Sequence, residues 1–248
     1  MMHTRLNKNI ALWMLGLWLA FFAGSSVMAQ TVANCGTLSS PGQYGPFDYR
    51  TERGNAFQLV QGAHFTPEVE ALIRGKSTFT PGPDIDYTLR AFPNHHRALL
   101  AMIRLGELQK TPKPNGSRYS VECWLERAIR FRPDDSIVRM VYSSYLNKNT
   151  RLPEATYQLE MATTYAKDNG FSHYNIGLHY FDLKNYDKAL IQAHKAIELG
   201  LTQTALRDRL QSVGKWSEPA DAQATPAAPT DAASAPANAA STPANTAN

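Results

Sequence analysis

Residues 174–200 read "YNIGLHYFDLKNYDKALIQAHKAIELG", and their spacing decides how the chain is organised. Gly177 and Tyr180 lie three apart on one helix, and Tyr186, Ala189, Ala193 and Ala196 follow on a second. Small residues at those places let the two helices of a hairpin approach closely, while the aromatic ring fills the groove beside them. Moving back 34 residues aligns Ser143 with Gly177, Leu146 with Tyr180, Ala155 with Ala189 and Ala162 with Ala196. That register defines two consecutive units, 136–169 and 170–203.

A small residue, an aromatic and then alanines on a second helix, recurring every 34 residues, resembles the tetratricopeptide repeat (TPR). The resemblance implies an all-α fold, a TPR-like helix-turn-helix solenoid. A third unit, 96–135, pairs "HRALLAMIRLGEL" with "WLERAIRFRPDD", where Ala128 takes the alanine place and Pro133 the terminal proline. Its link "QKTPKPNGSRYS" makes it about six residues longer, which a hairpin loop tolerates. A degenerate unit over 62–95 contains "TPEVEALIRG", with Thr66 as N-cap ahead of Pro67 and Glu68, and "DIDYTLRAF" before Pro93. After the last unit, "LTQTALRDRLQSVG" puts Leu206, Leu210 and Val213 on one stripe, a capping helix over 203–213. The family's tryptophan is missing from every unit, and Lys167 and Leu201 replace the terminal proline of the last two. Residues 30–61 hold turn residues and aromatics without a helical period, so they read as an irregular N-terminal arm lying on the solenoid 62–212.

In the family the first helices line a concave groove that holds a peptide, a helix or another protein. The matching places here are Arg97, Leu100 and Arg104; then Ile137, Met140, Ser144, Asn147 and Lys148; then Phe171, Tyr174, Leu178, Phe181 and Asp182. Aromatic anchors inside a charged rim suit protein recognition. The resemblance therefore implies a non-enzymatic scaffold or adaptor, without a cofactor, whose partner is a protein or peptide in the cell envelope.

The ends of the chain supply the compartment. Arg5 and Lys8 precede an apolar run from Ile10 to Ala23, and Val27 and Ala29 fit a cut before Gln30, so 1–29 reads as a signal peptide. Its removal takes two of the 25 basic residues and leaves a net charge of +2 against 21 acidic ones, which favours no nucleic-acid partner. The two cysteines, Cys35 and Cys123, then enter an oxidising periplasmic space as a candidate disulfide. A lipid anchor on Cys35 is the competing reading, against which Asn34 stands where a small residue is needed. From 214 to 248 the chain is dominated by Ala, Pro, Thr, Ser, Asn and Gln, the composition of a disordered tail.

Four features invite another reading. "AFPNHHRALLAM", 91–102, carries adjacent His95 and His96, and with His64, His173, His179 and His194 these offer a metal-binding or acid–base reading. The repeat register opposes it: "RAFPNHH" aligns with "RFRPDDS" forty positions later, which makes both of them corners where a helix starts at Asn94 or Asp134. "RGKST", 74–78, ends like a phosphate-binding loop, but Glu70 stands where its first glycine belongs. Asp84, Asp86, Asp134 and Asp135 fall at helix starts and read as caps, and "RAIRFR" reads as a solvated face.

Overall fold

The computed structural model describes residues 35–219; the expected signal peptide and the tail beyond 219 lie outside them. Ten helices and no strand form among the described residues. They are α1 (Asn55–His64), α2 (Pro67–Glu70), α3 (Pro81–Ala91), α4 (His96–Gln109), α5 (Val121–Phe131), α6 (Ser136–Lys148), α7 (Leu152–Ala166), α8 (Gly170–Asp182), α9 (Tyr186–Glu198) and α10 (Ala205–Ser212). No described helix is long and apolar enough to cross a membrane.

The recurrence seen in the sequence returns in the backbone. Helices α4, α6 and α8 start from His95, Asp135 and Asn169, each of which accepts a hydrogen bond from its own first turn. The starts thus fall one residue after Asn94 and Asp134. The same three helices stop at Lys110, Thr150 and Lys184, all with positive φ, at 50°, 59° and 58°. Just beyond, the amides of Thr111, Arg151 and Asn185 donate back to the carbonyls of Gly106, Leu146 and Tyr180. Three turns of one geometry therefore reverse the chain into the pairs α4/α5, α6/α7 and α8/α9.

Close approach explains the small residues. A Cβ placed on Gly177 would come within 2.4 Å of Leu206 Cδ2 and 3.2 Å of Gln192 Cβ, so α8 lies close to α9 and α10 there and a side chain would have to displace Leu206. Ser143, the equivalent residue, uses its hydroxyl to donate to the Ala155 carbonyl at 2.9 Å. Each of these two pairs also contains a buried polar clip at matching positions. Arg139 donates to the Pro133 carbonyl and to Gln158, and His173 bridges the Lys167 carbonyl and Gln192. In the preceding unit Leu99 and Trp124 occupy the corresponding places and are fully buried. Beyond the pairs, α4 packs on α6, α6 on α8, and α8 on α10.

Ahead of α4 the chain departs from its reading. Residues 55–64 form α1, which the absence of an apolar period concealed: Ala56 and Val60 are the buried side chains of this helix. They meet Ala91 and Phe92 in a separate small core, with Phe47, Tyr49, Phe57 and Tyr87 against it. Conversely, α2 is a single turn, and its cap residue Thr66 makes no side-chain cap bond. Helix α3 begins at Pro81, ahead of Asp84. The arm is bound from several sides. Cys35 is bridged to Cys123 on α5, with Cα atoms 5.2 Å apart. Arg127, fully buried, donates to the carbonyls of Cys35 and Thr37, and Arg130 to that of Gly36. Part of "RAIRFR" is therefore a clamp on the arm, where the sequence suggested a solvated face.

Candidate functional site

Because α4, α6 and α8 follow one another in contact, their equivalent positions form rows across one face. The first row is Arg97, Ile137 and Phe171, and the second Leu100, Met140 and Tyr174. Leu100 and Ile137 are each 43 % exposed and Phe171 59 %. Met140 departs from its expected place in the groove: at 5 % exposure it packs with Leu159, Ile176 and Tyr180 in the core. Tyr174, Leu178 and Phe181 are half-buried against that core. Phe181 lies beside the Tyr186 ring and beneath the Arg209 guanidinium. Leu108, 69 % exposed at the end of α4, extends the apolar surface and was not singled out from sequence.

The charged residues of this face are tied to neighbouring helices. Arg97 pairs with Glu70 of α2, and Arg104 donates to the Glu70 carbonyl at 3.1 Å. Lys148 meets Glu107 at 2.8 Å, and Asp182 meets Arg209 at 2.6 Å. Such exposed pairs contribute less than about 1 kcal/mol each, but they leave the exposed apolar residues as the main contribution a partner would find.

Two clefts open on the same side. Ser144, Asn147, Lys148 and Asp182 converge with Ser143, His179 and Leu183 around about 240 Å³ between α6 and α8. There Ser144 Oγ lies 3.1 Å from His179 Nδ1, and burial pushes the His179 ring below its usual pKa, so it is neutral near pH 7. The larger cleft, about 350 Å³, lies between α4 and α6. Ile103, Val121 and Tyr145 give it apolar lining, Glu107 and Lys148 charged lining, and Lys110, Thr111 and Pro112 belong to the lengthened link. The extra length of that link, which looked incidental in sequence, helps build a cavity. The clefts offer apolar lining in the shape of Ile103, Val121 and Tyr145, and hydroxyl, carboxamide and imidazole groups from Ser144, Asn147 and His179.

The corner at 94–96 has a different task. Asn94 accepts from the Tyr49 amide and donates to Asp48 and Asp135, at 2.9, 2.7 and 2.9 Å. His96 Nε2 lies 2.9 Å from Asp135, and Arg50 reaches Asp48, Asp134 and Asp135. His95 accepts the Ala98 amide on Nδ1 and faces the Gln61 carboxamide with Nε2. Burial, with His96 adding to it, pushes the His95 pKa down to about 3, so the cap is a neutral ring. Burial alone would push the Asp135 carboxyl up, but His96, Asn94 and the Val138 amide together hold it below the usual carboxylate range. Asp135 caps α6 as expected, whereas Asp84 fastens a loop: it accepts the amides of Lys76 and Thr78 and pairs with His64 at 2.8 Å. The backbone donors with which "RGKST" would grip a phosphate are thus turned inward to a carboxylate. No three His, Cys, Asp or Glu side chains converge as a metal ion would need among the described residues.

Comparisons with family models, with curated proteins and with solved structures find no match to this chain.

Proposed function

We propose that this chain is a TPR-like scaffold of the cell envelope, exported and processed near Ala29, which holds a protein partner on the face of α4, α6 and α8. The observation that carries the reading is an exposed apolar residue on each of three helices stacked in succession, Leu100, Ile137 and Phe171, drawn from two adjacent rows beside two clefts. Support for export comes from the bridged Cys35–Cys123 pair, which persists in oxidising surroundings. The turn and cap positions repeated at 34 and 40 residues support the repeat reading. An adaptor of this kind acts by geometry: it presents one segment of a partner to another and changes no covalent bond.

The test begins with crosslinking of the processed protein in its own envelope, which identifies the partner. Serine is then placed together at Leu100, Ile137 and Phe171. Loss of three apolar anchors lowers affinity for that partner by about thirtyfold or more, while thermal unfolding stays near wild type because the side chains are exposed. Undiminished affinity overturns the reading.

A further inference from the structure

The loop joining α2 to α3 is a built object, although the repeat reading leaves it without a role. Asp84, with no exposed surface, receives the Lys76 and Thr78 amides and the Thr78 hydroxyl at 2.7, 3.1 and 2.8 Å. Ser77 Oγ donates to the Ala63 carbonyl at the end of α1, and His64 stacks on Tyr87 while it pairs with Asp84. The Gly75 amide donates to the Phe79 carbonyl, which closes residues 75–79 into a ring. A Cβ at Gly75 would come within 2.1 Å of the Thr78 carbonyl oxygen, so the ring closes only around glycine.

What this ring displays is not what a polar connector needs. Phe79 is 97 % exposed and Ile73 73 % exposed, the two most exposed large apolar side chains among the described residues. Closure of the ring sets the Phe79 backbone beside Gly75, which follows Ile73 and Arg74 directly in the chain. Arg74 and Lys76 are exposed and form no close ion pair among the described residues, although both lie near enough to Glu68 to act on its carboxylate. A tip with two exposed apolar side chains and two exposed cations matches the region where acyl chains meet anionic headgroups.

We propose that the 73–79 knuckle is a membrane-surface contact that inserts Phe79 and Ile73 among the lipids of an anionic bilayer, with Arg74 and Lys76 on its phosphates. It does not depend on the groove reading, since it occupies a different element and takes a different ligand. The test uses processed protein recovered after export, sedimented with vesicles of phosphatidylcholine and phosphatidylglycerol at 3:1, or of phosphatidylcholine alone. The wild type is expected to bind the anionic vesicles and to bind the neutral ones far more weakly. I73S/F79S and R74E/K76E are each expected to lower partition into anionic vesicles by about tenfold or more, with unfolding unchanged. The proposal is overturned if the wild type stays in the supernatant, or if its vesicle binding survives both double variants. It is equally overturned if vesicle binding is absent while I73S/F79S releases a crosslinked envelope protein, because the tip is then a protein contact.

Discussion

The two halves of the described chain are held together by different means. From α6 to α10, helices meet directly: small residues permit contact, and a buried clip, Arg139–Gln158 or His173–Gln192, recurs inside each pair. Ahead of α6, Leu99 and Trp124 replace that clip inside a core with Ile85, Leu89, Met102 and Leu125, and the arm adds a second fastening from outside. Cys35, Asp48, Tyr49 and Arg50 reach two successive corners and α5, so residues some 40 to 90 positions apart are bound together. A stack of helices is thus stabilised by repetition alone in one half and by a core with a strap added over it in the other. The first means is local, the second adds a few long-range bonds.

The strap is the place to break first. Replacing both cysteines, C35A/C123A, removes a closure across a sequence separation of 88 residues. The expected loss is about 4 to 5 kcal/mol. Trp124 and Trp216 make the comparison measurable, since after loss of 1–29 they are the two remaining tryptophans, one in each half. In the double variant Trp124 emission is expected to change at lower denaturant than Trp216 emission. A coincident shift would show that both halves depend equally on the bridge.

A complementary change should fall on the other half. Gly177→Val forces atoms into space held by Leu206 and Gln192 and is expected to cost about 1 to 3 kcal/mol, read from Trp216 with Trp124 little affected.

Acid sharpens the contrast. His95 is held near pKa 3 by burial, below its ordinary 6.5, so the folded state binds fewer protons than the unfolded chain between those values. Its contribution is complete above about pH 6.5 and is lost as pH falls towards 3, at no more than about 1.4 kcal/mol per unit. Asp48, Asp84 and Asp135 are also held below the carboxylate range, burial being outweighed in each by hydrogen bonds, and they add losses once pH falls below about 4. His179 shifts in the same direction and Arg151 lowers the pKa of the Glu154 carboxyl of α7, so the second half weakens too, but the carboxylates Asp48, Asp84 and Asp135 belong to the arm, α3 and the corner ahead of α6. Trp124 is therefore expected to report unfolding at higher pH than Trp216.

The smallest effect is a gain. Lys184 closes α8 with φ at 58°, a conformation that costs a side chain but not glycine. Lys184→Gly is expected to stabilise the C-terminal half by about 0.5 to 1 kcal/mol, seen as a higher midpoint for Trp216.

This division also accounts for what the sequence disclosed. Repetition is local and periodic, so Gly177, Ala189 and Ala193 revealed their hairpin from spacing alone. The strap is neither. Arg127 lies 92 residues from Cys35, whose carbonyl it holds, and nothing in "RAIRFR" marks which arginine is buried. Helix α1 escaped notice because two buried residues and a set of distant aromatics hold it, without an apolar stripe. The disulfide was legible because two cysteines leave one pairing. Of the candidate face, the exposed positions followed from the repeat register, but Met140 occupies the core, since its helix is covered by α7 and α8 at that level. The clefts needed the link 110–112 and His179, whose positions depend on tertiary packing.

Both halves contribute helices to one surface, the face of α4, α6 and α8, and its role in partner binding is the central claim. Photo-reactive residues at Leu100, Ile137 and Phe171 would probe it in cells, against the same residue at exposed Tyr157 and Ile191 on α7 and α9. The account expects one envelope protein crosslinked from the first three positions and none from the other two. Crosslinks from Tyr157 and Ile191 alone, or equally from all five, would contradict it.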